Sequence, residues 1–170
     1  MKVLCVIDMQ NDFIDGALGT AEAVAIVDNV KNKIDIYRAN GDTVIFTRDT
    51  HYENYMDTAE GKKLPVPHCI KGTAGWEISE KLDVADSEII DKPTFGSVEL
   101  SKYVSELDNV SEIEVIGLCT DICVISNVML LKASMPEMPI RVDSSCCAGV
   151  TVESHRNALS AMTMCQIEIV

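Results

Sequence analysis

The chain alternates two kinds of apolar segment. Residues 2–8, 42–49, 87–92, 112–118, 139–144 and 166–170 are short, mostly apolar runs rich in β-branched side chains. Such runs read as strands buried on both faces of a sheet. Between them the apolar positions recur at helical spacing. Ile26, Val27, Val30, Ile34 and Tyr37 mark one helix, which Asn40-Gly41 is suited to end. Residues 98–107, the stretch from Asp121 to about Ala133, and residues 152–162 mark three more. Strands alternating with helices predict an α/β fold, a doubly wound and mostly parallel six-stranded sheet with helices on both faces. With 170 residues, 47% of them hydrophobic, and no linker-like tract or repeat, residues 1–170 are expected to form a single domain.

Charge narrows the function classes. The formal net charge of -13 leaves no basic patch to neutralise phosphates or hold an anionic bilayer, so neither nucleic acid nor membrane is an expected partner. No run approaches the ~18 apolar residues of a membrane span. The first apolar run meets Asp8 too soon for a secretory h-region. Seven cysteines, most of them inside apolar segments, fit a reducing cytoplasm better than a disulfide framework.

Ligands of open α/β sheets bind beyond the carboxyl ends of the strands. Asp8, Asp49 and Lys92 follow the first three predicted strands, and Cys119 and Cys123 follow the fourth. A helix starting at Thr120 or Asp121 would place Cys123 in its first turn, where free N–H groups and the helix dipole lower a thiol pKa from ~8.5 toward ~3.5–7.5. Burial as a small apolar residue is the competing fate of such a cysteine. With Asp8 and Lys92 at the same edge, the set becomes a nucleophile, a base and an orienter. A Cys119–Cys123 redox pair fits less well, because three residues separate the two cysteines where the usual motif has two. Zinc on this pair would need further ligands that the adjoining sequence lacks. Cys146 and Cys147 are expected to be packing or loop residues after the fifth strand.

These residues resemble the isochorismatase-like cysteine hydrolases, a family that includes the nicotinamidases. "VIDMQNDF" (6–13), "DKPTFG" (91–96) and "GLCTDICV" (117–124) match its motifs in order along the chain. The resemblance implies an isochorismatase-like, Rossmann-like three-layer fold with Asp8, Lys92 and Cys123 as catalytic residues. It implies a thiolate that attacks an amide carbonyl, loss of ammonia, and hydrolysis of a thioester. It further implies a cis peptide between Leu118 and Cys119, with the N–H groups of Cys119 and Cys123 as the oxyanion hole. The same resemblance points to a small-molecule substrate, nicotinamide in the nearest branch, and to a homo-oligomer. The apolar C-terminal strand, with no helix to cover it, adds a sheet edge in need of protection.

A second constellation lies between the second and third strands. Asp49 and His51 stand two apart, followed by Glu60 and His68. An Asp with two His is a reasonable set for Zn, Fe or Mn, and nicotinamidases use such a set to hold a divalent metal that takes the ring nitrogen of the substrate. Glu60 is the candidate fourth ligand. The ring-stacking aromatic those enzymes place three positions before the last His is replaced here by Pro65, so Phe13 and Trp76 are the candidate pocket aromatics. Isochorismate-like vinyl ethers and carbamoyl or ureido compounds are the competing substrates.

Two readings outside this enzyme class carry less. "DKPTFGSVEL" looks like the closing motif of a phosphoacceptor receiver domain, but about three further strands follow Lys92, and Asp8 is followed by Met9-Gln10 rather than a second acid. A non-catalytic binding member of the fold would not need Asp8, Lys92 and Cys123 intact.

Overall fold

The computed structural model describes residues 1–170. Its elements run β1 (Lys2–Ile7), α1 (Asn11–Ile14), α2 (Ala21–Ala39), β2 (Thr43–Asp49), α3 (Ala59–Lys63) and β3 (Glu88–Lys92). They continue with α4 (Val98–Ser105), β4 (Glu112–Leu118), α5 (Ile125–Ser134), β5 (Ile140–Ala148), α6 (Val152–Met164) and β6 (Glu168–Ile169). The strands form one sheet in the order β3-β2-β1-β4-β5-β6, and every pairing is parallel. Right-handed crossovers in opposite directions place α2 on one face and α4, α5 and α6 on the other.

The central strands explain the continuous apolar runs. From Val3 to Ile7 every side chain of β1 is fully buried, because helices cover both faces. The helix caps are written locally: Thr20, Ser97 and Thr151 each accept a backbone N–H from the first turn of α2, α4 and α6. Gly117 lies at φ +117°, and a Cβ there would collide with the carbonyl oxygen of Ile7, so only glycine lets β4 close against β1 under the site.

Three boundaries differ from the sequence expectation. β5 runs on to Ala148, because a register shift between Val115 and Gly117 renews its pairing with β4 at Gly117–Cys147 and Leu118–Ala148. Cys146 and Cys147 are therefore buried strand residues and do not lie in a loop. The expected helix from Asp121 begins with a wide turn over Thr120–Val124 and turns α-helical only at Ile125. β6 is limited to two residues.

Candidate active site

Asp8 ends β1 in the left-handed region, at φ 48°, a conformation short polar residues tolerate better than most. Thr47 of β2 fixes it: the Thr47 hydroxyl donates to Asp8 Oδ1 at 2.7 Å and accepts the Asp8 N–H at 3.2 Å. The other carboxylate oxygen faces Lys92, whose Nζ lies 2.6 Å away. Lys92 comes from the end of β3, two strands away in the sheet, and is 1% exposed. Its ammonium also contacts the Thr94 carbonyl at 3.1 Å, Asp49 Oδ1 at 3.3 Å and Cys123 Sγ at 3.4 Å. Asp8, Cys123 and Asp49 of the second cluster thus share a single cation.

Enclosure sets the protonation pattern. Burial pushes the Cys123 thiol well up and the facing Asp8 carboxylate pushes the same way, while Lys92 opposes them. The expected depression of this thiol by a helix terminus is therefore outweighed: one ammonium is divided between two carboxylates and a sulfur in a water-poor site. Asp8 is also raised, first by burial and further by Asp49, against the pull of Lys92. Lys92 itself is held above its ordinary value because the surrounding anions outweigh the cost of its burial. Burial and the facing carboxylate thus favour the protonated thiol.

The peptide between Leu118 and Cys119 is cis. The N–H of Cys119 makes no hydrogen bond within the chain, whereas its carbonyl accepts from Ile122 and Val124. The Cys119 thiol is pushed up to about 12 by burial, with Asp121 and Asp8 adding to the effect.

Beside Lys92, the donor atoms of Asp49, His51, Glu60 and His68 all lie within 4.8 Å of one another. Asp49 ends β2, Glu60 is on α3, and the two histidines come from the connecting segment. His51 Nε2 is 2.9 Å from Asp49 Oδ2, yet this buried nitrogen has no hydrogen-bond partner, so the two atoms point toward a shared space and not at each other. His68 Nδ1 is 2.8 Å from the Val66 carbonyl, which fixes the proton there and leaves Nε2 free as a ligand. Burial would raise Asp49, but His51, His68 and Lys92 together hold it well below the ordinary carboxylate value. Two imidazoles and two carboxylates suit a divalent ion such as Zn, Fe or Mn.

A cavity of about 740 Å³ opens over both groups. Cys119 and Cys123 line its floor together with Asp49, His51, Glu60 and His68, and Phe13, Leu64 and Phe95 are among its apolar walls. Its size is that of a small-molecule site.

The isochorismatase-domain family profile matches residues 2–170. The chain belongs to the isochorismatase family. Within it, the nicotinamidase/pyrazinamidase of Mycobacterium tuberculosis is 26% identical, over 100% of this chain and 98% of that protein. The crystal structure of the Pyrococcus horikoshii pyrazinamidase in complex with zinc superposes with a TM-score of 0.86 at 26% identity, covering 99% and 98% of the two chains. The N-carbamoylsarcosine amidase of Thermoplasma acidophilum superposes at 0.84 with 25% identity, covering 99% and 95%. This isochorismatase-family protein is a hydrolase, and these named relatives cut amide C–N bonds.

Of the residues singled out in the sequence, Asp8, Lys92 and Trp76 do not line the cavity; Asp8 and Lys92 lie behind Cys123, joined to it through the Lys92 ammonium, whereas Trp76 has no such link. It is 7% exposed, its indole N–H donates to the Thr50 hydroxyl at 2.8 Å, and the Arg48 guanidinium stacks 3.7 Å from its ring centre. An amphipathic ring with a partner for its N–H belongs in the scaffold. Phe13 does reach the cavity, with its ring centre 5.5 Å from that of His68. Sequence reasoning missed Thr47 and Gln10. Fully buried Gln10 accepts the Asp49 N–H at 2.7 Å and donates to the Asp49 and Trp76 carbonyls at 2.8 Å each, so its amide clamps the backbone of a candidate ligand. Its position inside "DMQNDF" was the available signal.

Proposed function

We propose that the protein is a cysteine-dependent amidohydrolase that cleaves a small carboxamide through a thioester, with nicotinamide, giving nicotinate and ammonia, as the favoured substrate. The observation that carries this reading is the buried Lys92 ammonium in contact with both Asp8 and Cys123, where Cys123 itself lines the cavity it shares with the two-histidine cluster. Asp8 takes the thiol proton as Cys123 Sγ attacks the carbonyl carbon. The N–H groups of Cys119 and Cys123 receive the oxyanion, and the unpartnered Cys119 N–H needs no bond broken beforehand. Asp8 returns the proton to the departing nitrogen, then activates the water that cleaves the thioester. Lys92 keeps Asp8 in place and offsets negative charge on sulfur.

Asp49, His51, Glu60 and His68 would hold a divalent ion, which supplies a Lewis-acid docking point for a substrate lone pair. Asp49 and Cys123 contact the same ammonium, so such an ion and the thiol would serve one bound substrate.

A carbamoyl compound is the second reading. It is favoured by the similarity to an N-carbamoylsarcosine amidase and by Pro65 standing where nicotinamidases keep a stacking aromatic. The test is hydrolysis of nicotinamide, pyrazinamide, benzamide and an N-carbamoyl amino acid, each with and without a chelator. The favoured reading expects nicotinamide and pyrazinamide to turn over and chelation to raise their KM. Chelator-insensitive hydrolysis confined to substrates without a ring nitrogen would withdraw nicotinamide and leave the cysteine hydrolase standing.

A further inference from the structure

The turn that carries Cys119 and Cys123 is held from outside. The Cys119 carbonyl accepts from the Val124 N–H at 3.0 Å, and the Thr120 carbonyl accepts from the Ile125 N–H, each five residues ahead. Turns of this width are rare, occur mostly as single turns and frequently sit at functional sites. Here two side chains tie the turn to the segment between β5 and α6. The fully buried Thr120 pairs its hydroxyl with Nδ1 of His155 at 2.8 Å. Both oxygens of Asp121 accept the Val150 N–H, at 3.1 and 3.3 Å.

His155 is well fixed in its turn. It sits in the first turn of α6, whose Thr151–Ser154 capping box anchors that end. Gly149 lies flush against it: a Cβ at Gly149 would fall 2.9 Å from both the Cβ and the backbone nitrogen of His155. Of the chain's three histidines, it alone lies outside the Asp49 cluster.

We propose that His155 is a positioning residue for the oxyanion site, holding the turn through the Thr120 hydroxyl so that the N–H groups of Cys119 and Cys123 face the substrate carbonyl oxygen. It touches no reacting atom. The pull falls on the residue next to Cys119, whose N–H is unpartnered, and not on the body of α5. A displaced donor fails only when the carbonyl carbon becomes tetrahedral and its oxygen takes up negative charge, so the loss appears in kcat and not in KM.

The inference rests on the cysteine-hydrolase reading and is indifferent to which amide is cleaved. Its test uses four variants of the full chain: His155→Leu, His155→Asn, Thr120→Val and Thr120→Ser. Asn keeps a polar atom at the place of Nδ1, and Ser keeps the hydroxyl. With whichever amide the wild type turns over, His155→Leu and Thr120→Val should each lose about tenfold in kcat, short of the ~10²–10³ for complete loss of an oxyanion donor. KM should stay within about twofold. Asn and Ser should retain most of the rate, and the Leu/Val double variant should be no worse than either single, since both remove one interaction.

A readout that needs no turnover separates this inference from the substrate assignment. Pyridine-3-carbaldehyde and acetaldehyde each accept the Cys123 thiol: an S–C bond forms, the thiol proton passes to the carbonyl oxygen, and a thiohemiacetal results. Its affinity should fall about tenfold in the Leu and Val variants and recover in Asn and Ser, even if no tested amide is hydrolysed. Equal losses in Leu and Asn, additive losses in the double variant, or wild-type kcat and aldehyde affinity in His155→Leu would overturn the proposal. Failure of nicotinamide alone would not touch it.

Discussion

Replacing Lys92 with Met should destabilise the fold as well as the chemistry. The substitution keeps most of the side-chain volume and removes the ammonium from a residue that is 1% exposed. Asp8, itself 0% exposed, then loses the cation 2.6 Å from its Oδ2 and keeps the Thr47 hydroxyl on Oδ1. Breaking a buried ion pair on one side costs ~3–5 kcal/mol, because the surviving charge stays in low dielectric. Against a typical total of ~5–15 kcal/mol, this is a large fraction of the stability. Urea unfolding followed by circular dichroism measures it, with an unchanged m-value showing that the same surface is exposed. The double variant Lys92→Met with Asp8→Asn removes both charges and should recover most of the loss, although hydrolysis stays abolished.

The pH dependence of the single variant has a definite sign. Without Lys92 the Asp8 pKa rises further above its unfolded value, so the neutral carboxyl is the form the fold tolerates. The deficit should therefore shrink as pH falls through the raised folded pKa of Asp8 and be full above it. A cost below ~1 kcal/mol, as for an exposed pair, would refute this reasoning. So would a double variant no more stable than Lys92→Met alone.

Other substitutions separate the remaining roles. Cys123→Ala should abolish turnover while Cys119→Ala keeps much of it, because alanine retains the backbone N–H; equal loss in steady-state assays would sink the oxyanion assignment. Gln10→Leu leaves the Asp49 peptide N–H and carbonyl unpaired in the interior, with an expected cost of ~1–3 kcal/mol and ~10–100-fold weaker zinc binding by competition titration. Unchanged zinc affinity would make Gln10 purely structural. The acid limb of kcat/KM should lie above the ordinary carboxylate value of ~3.9, since Asp8 is raised and must be ionised to accept the thiol proton; an acid limb that survives in Asp8→Asn would assign it to another group. Self-association is expected, with sedimentation as the measurement and a monomer at micromolar concentration as the contrary result.

The central strands were legible because burial on both faces leaves a near-continuous apolar run, β1 being the clearest case, whereas the edge strands β3 and β6 are only partly buried. Cys146 and Cys147 do pack in the core, as one of the two expectations had it, but within β5 and not after it, because the continuation of β5 depends on a register shift against β4, a tertiary event that local pattern does not encode. The site was legible in its charged and sulfur-bearing residues, which have few reasons to sit at strand ends. Trp76 was misassigned because its partners, Thr50 and Arg48, are distant in sequence and their geometry is set only on folding. The same holds for the Cys123 thiol: its helix position, which favours a thiolate, is local, whereas the enclosure that pushes it up is global.

The division of labour around the cavity bears on how this enzyme can change. Asp49 and Lys92 end neighbouring parallel strands and are paired with each other in the sheet, and Asp8 directly follows β1, held by the Thr47 hydroxyl. The outer walls come instead from Leu64 after α3, Phe95 before α4, and Gly149 and Val150 before α6. Leu64, Phe95 and Val150 leave 38%, 42% and 52% of their surface exposed, so their replacement disturbs little of the core. Exchanging these three connections with those of a relative that takes a different amide should therefore redirect the acyl group accepted without redesigning the charge set beneath. Selection can explore new substrates at the rim while Asp8, Asp49 and Lys92 stay fixed beneath it.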